Sequence, residues 1–328
     1  MKCSHWRWNP SEKSSLRKVR EIRIGQWQDC RMSDIQSLRA RETSLGSLRI
    51  LRALPRSQRR TVGAWCFLDR YGPLSFSEGS PMDVAPHPHI GLQTVSWLLQ
   101  GEIVHNDSLG CEALMRAGQL NLMTAGRGIA HSEVSPKANS GTLDGVQLWV
   151  ALPTNRRNMA PVFHHHASLP VLEFGGGTAT IIAGTLLNQT SPAQMLSPIV
   201  GAEIAFRSPN PIELPVNREF EHALFILRGD VSLNNTPLES GTLHYLGTDR
   251  DELQLTGSDD ARLLLLGGEP FTDPILMWWN FVGTTHHEIA EAREDWVQHR
   301  RFGEVTAYQG PRIPAPDLLR LAPANPAS

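Results

Sequence analysis

The 328-residue sequence predicts an all-β protein: two tandem jelly-roll-like β-barrels followed by a short C-terminal helix. Three observations predict it. Gly91, Gly101, Gly110 and Gly118 punctuate short apolar runs, the pattern of antiparallel strands joined by tight turns. Val146, Leu148, Val150 and Leu152 alternate with Gln147, Trp149 and Ala151, which is the two-residue period of a strand. Part of the first half also recurs in the second. Leu98-Leu99-Gln100-Gly101-Glu102-Ile103 matches Ile226-Leu227-Arg228-Gly229-Asp230-Val231, and Ala117-Gly118-Gln119-Leu120 matches Ser240-Gly241-Thr242-Leu243. Such self-similarity points to two copies of one unit.

In chain order, residues 1–45 read as a basic, irregular extension, for which Met32 offers an alternative start. Residues 1–60 hold 15 Lys or Arg against 5 Asp or Glu, whereas the remainder holds 16 against 28. A nucleic-acid-binding arm is one reading of that asymmetry, and a dispensable extension is the preferred one. The first barrel is expected over 46–158, with strands near 63–69, 94–99, 102–106, 120–123 and 146–152. A linker follows over 159–177, with His164, His165 and His166 placed in a loop. The second barrel spans 178–272, with strands near 180–183, 203–206, 223–227, 231–233, 243–246 and 261–266. Residues 273–328 hold an apolar strand over 274–282, then a helix capped by Thr284 or Thr285 and running to about residue 300. Ile289, Ala292, Trp296 and Val297 form its apolar stripe, while His286 and His287 read as capping or surface residues.

An apolar content of 40% and a charged content of 20% suit an ordinary soluble protein. No run approaches the 18 or so apolar residues of a membrane helix, and the first twenty residues lack the apolar core of a signal peptide. Cys3, Cys30, Cys66 and Cys111 lie far apart and form no C-x-x-C pair, as expected of reduced thiols in a cytoplasmic protein.

The candidate chemistry sits in two short pairs, His87-Pro88-His89 and His131-Ser132-Glu133. Side chains two apart on a strand point the same way, so antiparallel hairpins between the pairs can bring all four onto one point. Three imidazoles and a carboxylate suit one divalent transition metal, and the ligand set leaves iron(II), nickel, copper, manganese, cobalt and zinc all open. The second barrel carries no equivalent. Superposing Gly101 on Gly229 sets Pro215 opposite His87 and Asn217 opposite His89, and no His-x-Glu follows Gly241. That barrel is therefore expected to be metal-free, with His222 and His244 structural.

The run from His87 to Val95, the Gly101-Glu102 turn and the run from Thr124 to Glu133 closely resemble the pirin family of bicupins. The stretch Met277-Trp278-Trp279-Asn280-Phe281-Val282 resembles the family's C-terminal segment. The resemblance covers roughly residues 46–300. It implies two cupin barrels face to face, with the metal in the N-terminal one and His87, His89, His131 and Glu133 as its ligands. Family members typically hold iron and accept other divalent metals. Some resemble flavonol dioxygenases, opening quercetin with O₂, and others act as transcriptional co-regulators or bind metabolic enzymes.

The preferred reading is thus a quercetin 2,3-dioxygenase-like oxygenase taking a flavonol-like aromatic substrate and O₂. In it Glu133 is both ligand and general base, and Gln93 and Arg127 support the ligands from behind. The alternative is a metal-dependent regulatory or partner-binding protein without turnover. No helix-turn-helix or other DNA-reading module is recognisable, and paired barrels can bury their facing surfaces within a monomer.

Overall fold

In the computed structural model, which describes residues 35–318 except 46–47 and 77–81, each half of the chain forms a large antiparallel sheet facing a four-stranded one. In the N-terminal half the large sheet runs Val162–His166, Leu120–Thr124, Leu92–Gln100, Thr142–Ala151, Trp65–Ser75, Leu48–Leu54, Arg41–Leu45. Its small sheet runs Asp83–His89, Ile129–Val134, Glu102–Asp107, Glu112–Arg116. The C-terminal half repeats both orders. Its large sheet runs Gln36–Arg39, Thr242–Gly247, Glu221–Arg228, Arg262–Gly268, Ile199–Phe206, Gly177–Leu186, Val171–Phe174, and its small sheet Ile212–Pro215, Glu252–Gly257, Val231–Leu233, Thr236–Pro237. The two matched sequence segments occupy equivalent turns. Gly101 and Gly229 adopt φ +89° and +71°, values that a side chain would strain. The described residues are therefore all-β apart from the helix His286–Val297.

Two of the expected boundaries are corrected. Strands are already present at Gln36–Arg39 and Arg41–Leu45, inside the expected extension, and the presumed linker contains two strands. The cause is a reciprocal exchange between the halves. Gln36–Arg39 precedes the N-terminal barrel but pairs with Thr242–Gly247 of the other one, with Leu38 buried beneath it. Val162–His166 precedes the C-terminal barrel but pairs with Leu120–Thr124 of the first. His164, His165 and His166 therefore lie on a strand rather than in a loop, because a long-range edge supplies their backbone partners. Expectations for residues 1–34 lie outside the described residues.

The two large sheets pack face to face. Trp65, Val95, Trp97 and Leu148 from one meet Ala183, Phe225, Leu264 and Leu266 from the other in a shared apolar core. Buried carboxylates cross it: Glu203 accepts from Trp97 Nε1 and from Arg262 NH1, each at 2.6 Å, and Glu221 accepts from the Gly63 amide at 2.6 Å. The barrel interiors differ. The C-terminal one is filled by apolar side chains, including Leu214, Leu224, Leu253, Leu255 and Leu265. The apolar cluster of the N-terminal one is smaller, built from residues such as Ile50, Leu98, Ile103 and Met115, and leaves polar side chains in the remaining interior. The register drawn through Gly101 and Gly229 is also corrected. Pro215 and Asn217 are exposed, and Leu214 faces inward from that strand instead.

The last segment closes over the N-terminal barrel. Instead of one strand, Leu276–Trp278 and Phe281–Gly283 form a hairpin, and Phe281 bridges to Ile90 beside the His87 and His89 strand. Gly91 adopts φ +68°, and a Cβ there would collide with the Val282 carbonyl, so this close approach requires glycine. The helix starts at N-cap Thr285, whose hydroxyl accepts from Glu288 N at 3.1 Å, while Glu288 reaches back to Thr284 N at 2.7 Å. Ile289, Ala292 and Trp296 are buried against Phe281 and Phe302, but Val297 is exposed because it falls just beyond that face. His286 and His287 are exposed as expected. No described helix is long and apolar enough to cross a membrane.

Candidate metal centre

The two sequence pairs meet on neighbouring strands of the small sheet. Asp83–His89 and Ile129–Val134 are antiparallel with His87 opposite His131, and a bulge follows between His131 and Glu133. Ile129–Val134 is flanked on its other side by Glu102–Asp107, which sets Asp107 opposite His131 and His105 opposite Glu133. Because side chains alternate along each strand, His87, His89, His131, Glu133, His105 and Asp107 share one interior face. All six are buried.

One ring nitrogen from each of His87, His89 and His131 falls within 4.8 Å of the others, and the Nε2 atoms of His89 and His131 are 3.1 Å apart. The second ring nitrogens are occupied. His87 Nδ1 lies 2.9 Å from the Ala85 carbonyl and His89 Nδ1 lies 3.0 Å from the Asn280 carbonyl, so both must donate there. Asp107 accepts from His105 Nε2 at 3.1 Å, which leaves His105 Nδ1 as an acceptor 3.3 Å from His131 Nδ1. The hydrogen-bond network therefore assigns all three clustered histidines the tautomer with a bare Nε2.

Burial keeps these imidazoles uncharged. It pulls the His87 pKa down to about 4, against the Ala85 hydrogen bond that raises it, and holds those of His89 and His131 well below the usual histidine value. Lone pairs turned on one another inside a protein repel unless a cation lies between them. Two nitrogens bonded at about 2.1 Å to one ion at right angles stand about 3.0 Å apart, which matches the His89–His131 separation. The donor set fits a divalent transition metal.

Glu133 stays outside that tight group. Its Oε1 accepts from Ser96 Oγ at 3.2 Å, and burial raises its pKa despite the nearby His105 and the Ser96 hydrogen bond. His105 and Asp107 were missed in the sequence although they show the same two-residue spacing as the other pairs. Asp107 is fixed by the Leu109 and Cys111 amides. Burial pushes its carboxyl pKa up, but the His105 and amide hydrogen bonds outweigh this and leave it lowered. His105 also stacks on Phe163, with ring centroids 4.1 Å apart and planes within 6°.

Neither expected supporting residue reaches the centre. Arg127 is exposed, and Gln93 points to the other face of its strand, where Nε2 donates to Thr124 Oγ1 at 2.9 Å and to the Gln194 carbonyl of the C-terminal half at 3.1 Å. Ser96, three residues on, holds the inward face that Gln93 lacks. His244 is structural as expected, bonded to Ser37 and to the Glu239 carbonyl.

A cavity of about 500 Å³ opens onto His87, His89 and Glu133. Phe67 and Trp149 stack 3.9 Å apart along one wall, and Arg52 lies over Phe67 while forking onto Asp69 at 2.8 and 2.7 Å. Trp279, Met82 and Ile313 close the other side. Tyr71 adds a buried hydroxyl with no hydrogen-bond partner among the described residues.

Barrel order and histidine cluster together define a bicupin whose N-terminal barrel carries a candidate metal centre. Residues 47–150 match the family model described as Pirin and residues 202–303 the one described as Pirin C-terminal cupin domain. The chain belongs to the pirin family. It is 44% identical to a Pseudomonas aeruginosa protein provisionally named quercetin 2,3-dioxygenase, over 87% of this chain and 90% of that one. It is 37% identical to a pirin-like protein of Caulobacter vibrioides, covering 80% and 92%. The crystal structure of a quercetin 2,3-dioxygenase from Acinetobacter baumannii superimposes with a TM-score of 0.84 at 44% identity, covering 88% of this chain and 97% of that one.

Proposed function

We propose that the chain is a metal-dependent flavonol dioxygenase of the quercetin 2,3-dioxygenase type, working in the N-terminal barrel with one divalent metal, iron(II) in the first instance. The observation that carries this reading is the convergence of three histidine ring nitrogens, two of whose residues, His87 and His89, open onto an aromatic-walled cavity. The 44% identity to proteins bearing that enzyme's name supports it.

His87, His89 and His131 would hold the ion, with Glu133 as the fourth ligand after its carboxylate turns from Ser96. When bound, the metal would supply Lewis acidity toward a flavonol hydroxyl and a centre for reaction with O₂. The protein does the rest. Phe67, Trp149 and Trp279 offer flat surfaces to a planar ring system and shed water from it. Gln147 and Asp69, which line the cavity, offer polar partners for its hydroxyl groups. Glu133, whose pKa burial raises, takes the proton that the substrate hydroxyl gives up. The free thiols Cys66, pushed up to about pKa 12 by burial, and Cys111 support a reducing, cytoplasmic setting.

The test uses chain stripped of metal and reloaded anaerobically with iron(II). Quercetin's long-wavelength absorption band should persist until air is admitted and then decay over many turnovers. The metal-free chain should leave it intact. A band that survives aeration with iron(II), nickel(II) and manganese(II) alike would contradict the enzyme reading and favour a regulatory binder.

A further inference from the structure

Beyond the helix, residues 304–317 carry neither strand nor helix and run back across the N-terminal barrel as a strap. Two hydrogen bonds join it to Asp83–His89, the edge strand of the small sheet that bears His87 and His89. The Ile313 amide donates to the Pro86 carbonyl at 2.8 Å, and the Tyr308 hydroxyl donates to Asp83 Oδ1 at 2.9 Å. The strap is also tied to the helix. The Ile313 carbonyl accepts from Trp296 Nε1 at 2.9 Å, and Arg293 donates to the Pro316 carbonyl at 2.8 Å. Arg312 lies over the Trp296 ring, 4.0 Å from its centroid, and donates to the Trp296 carbonyl at 2.6 Å. Pro311 and Pro314 restrict the backbone on either side of this pair.

These ties converge on one residue. Both backbone polar groups of Ile313 are engaged, one by the barrel and the other by the helix, which fixes where its side chain stands. That side chain is half-buried and packs against the apolar cluster holding Ile50, Met82 and Val84, and all four residues line the metal-site cavity of about 500 Å³. Ile50 belongs to the large sheet and Val84 to the small one, so Ile313 plugs the seam where the two sheets part. Among the described residues it is the strap's only contribution to the cavity lining. The strap also lies past residue 303, where the match to the family's C-terminal model ends, so the pattern that model describes does not set the side chain at 313.

We propose that Ile313 is a specificity-determining residue of the N-terminal site: it closes the open edge of the barrel and sets how large a ring system can lie against the metal centre. The proposal rests on reading that cavity as the substrate site. Its volume suits one small planar ligand, and an aliphatic side chain fixed at the seam discriminates by bulk rather than by charge. The class it selects is the bare flavonol ring system, because a sugar or other bulky group projecting into the seam would collide with Ile313.

The test titrates the nickel(II)-loaded full-length chain under argon, by calorimetry, with two 3-hydroxy-4-pyranones that share one chelating head. Maltol has a single ring, and 3-hydroxyflavone has the full ring system. Ile313→Trp enlarges the plug and should weaken 3-hydroxyflavone at least about tenfold, while Ile313→Ala removes an apolar contact and should weaken it about threefold. Maltol, too short to reach the seam, should keep its affinity within about twofold in both variants. A merely structural role for the strap would move both ligands alike. Unchanged or tighter 3-hydroxyflavone binding in Ile313→Trp, or an equal loss for maltol, would overturn the proposal. Should that variant fail to fold, unchanged 3-hydroxyflavone binding in Ile313→Ala would do so. A parent that binds maltol but not 3-hydroxyflavone overturns it as well, and one that binds neither overturns the substrate-site reading with it. If the size selection holds but the iron-loaded chain leaves quercetin intact in air, the dioxygenase reading falls and the role of Ile313 stands.

Discussion

Replacing His105 with phenylalanine should loosen the metal without touching a ligand. The ring's stack on Phe163, at 4.1 Å, survives the change, so packing is largely kept. What disappears is the acceptor for His131 Nδ1 and the donor to Asp107. His131 is 1% exposed and has no water to turn to. Its Nδ1–H is then left unpaired, at about 1–3 kcal/mol, or the proton moves to Nε2 and blocks the lone pair the metal needs. Either route penalises the bound state, and the range converts to roughly 5- to 150-fold in affinity. Outer partners of metal-bound histidines are typically worth about 10- to 100-fold, which agrees. The assay is competition for nickel(II) against a chromophoric chelator at pH 7. His105→Gln, which keeps an acceptor, should recover part of the loss. Unchanged nickel affinity in a folded His105→Phe variant would refute the tautomer chain.

Three further outcomes follow from the same geometry. Glu133→Gln at matched metal occupancy should lower flavonol consumption by roughly 100-fold or more, since the amide cannot accept the proton; equal rates would remove Glu133 as the base. His87 and His222 have folded pKa values near 4, below the 6.5 of the unfolded chain, so as pH falls the unfolded state takes up protons first. The metal-free chain should therefore hold its melting temperature above pH 6.5 and lose it progressively toward pH 4, with His222→Phe flattening the fall; a profile unchanged by that substitution would contradict the assignment. A chain starting at Leu45 loses the Gln36–Arg39 pairing, nearly all of the Arg41–Leu45 strand and the burial of Leu38, the last alone worth roughly 2 kcal/mol, and should melt at least about 5 °C lower than one starting at Ile35.

The parts of this account that were legible in the sequence are those encoded locally. His87, His89 and His131 could be read because a two-residue spacing places side chains on one strand face, and Gly101 and Gly229 marked equivalent turns. His105 and Asp107 carry the same two-residue spacing, and their strand lies beside the one that bears His131 and Glu133. Strand parity sets Gln93 on the face away from the centre: Thr94 and Ser96 alternate with Gln93, Val95 and Trp97, and only one set can face the histidine cluster. Longer-range features left no local mark. The strand exchange pairs residues 36–39 with 242–245, and nothing near either segment specifies the other. His164, His165 and His166 took strand form for that reason, since the exposed edge of Leu120–Thr124 lies some forty residues away in the chain.

The central claim is that His87, His89 and His131 hold one metal ion, and that the second barrel holds none. Anomalous diffraction from crystals of the iron-loaded or nickel-loaded chain tests it most directly. One strong peak should lie between the Nε2 atoms of His87, His89 and His131, within bonding distance of all three, with Glu133 turned toward it. A peak elsewhere in the chain, or none between those nitrogens in fully loaded crystals, would contradict the account.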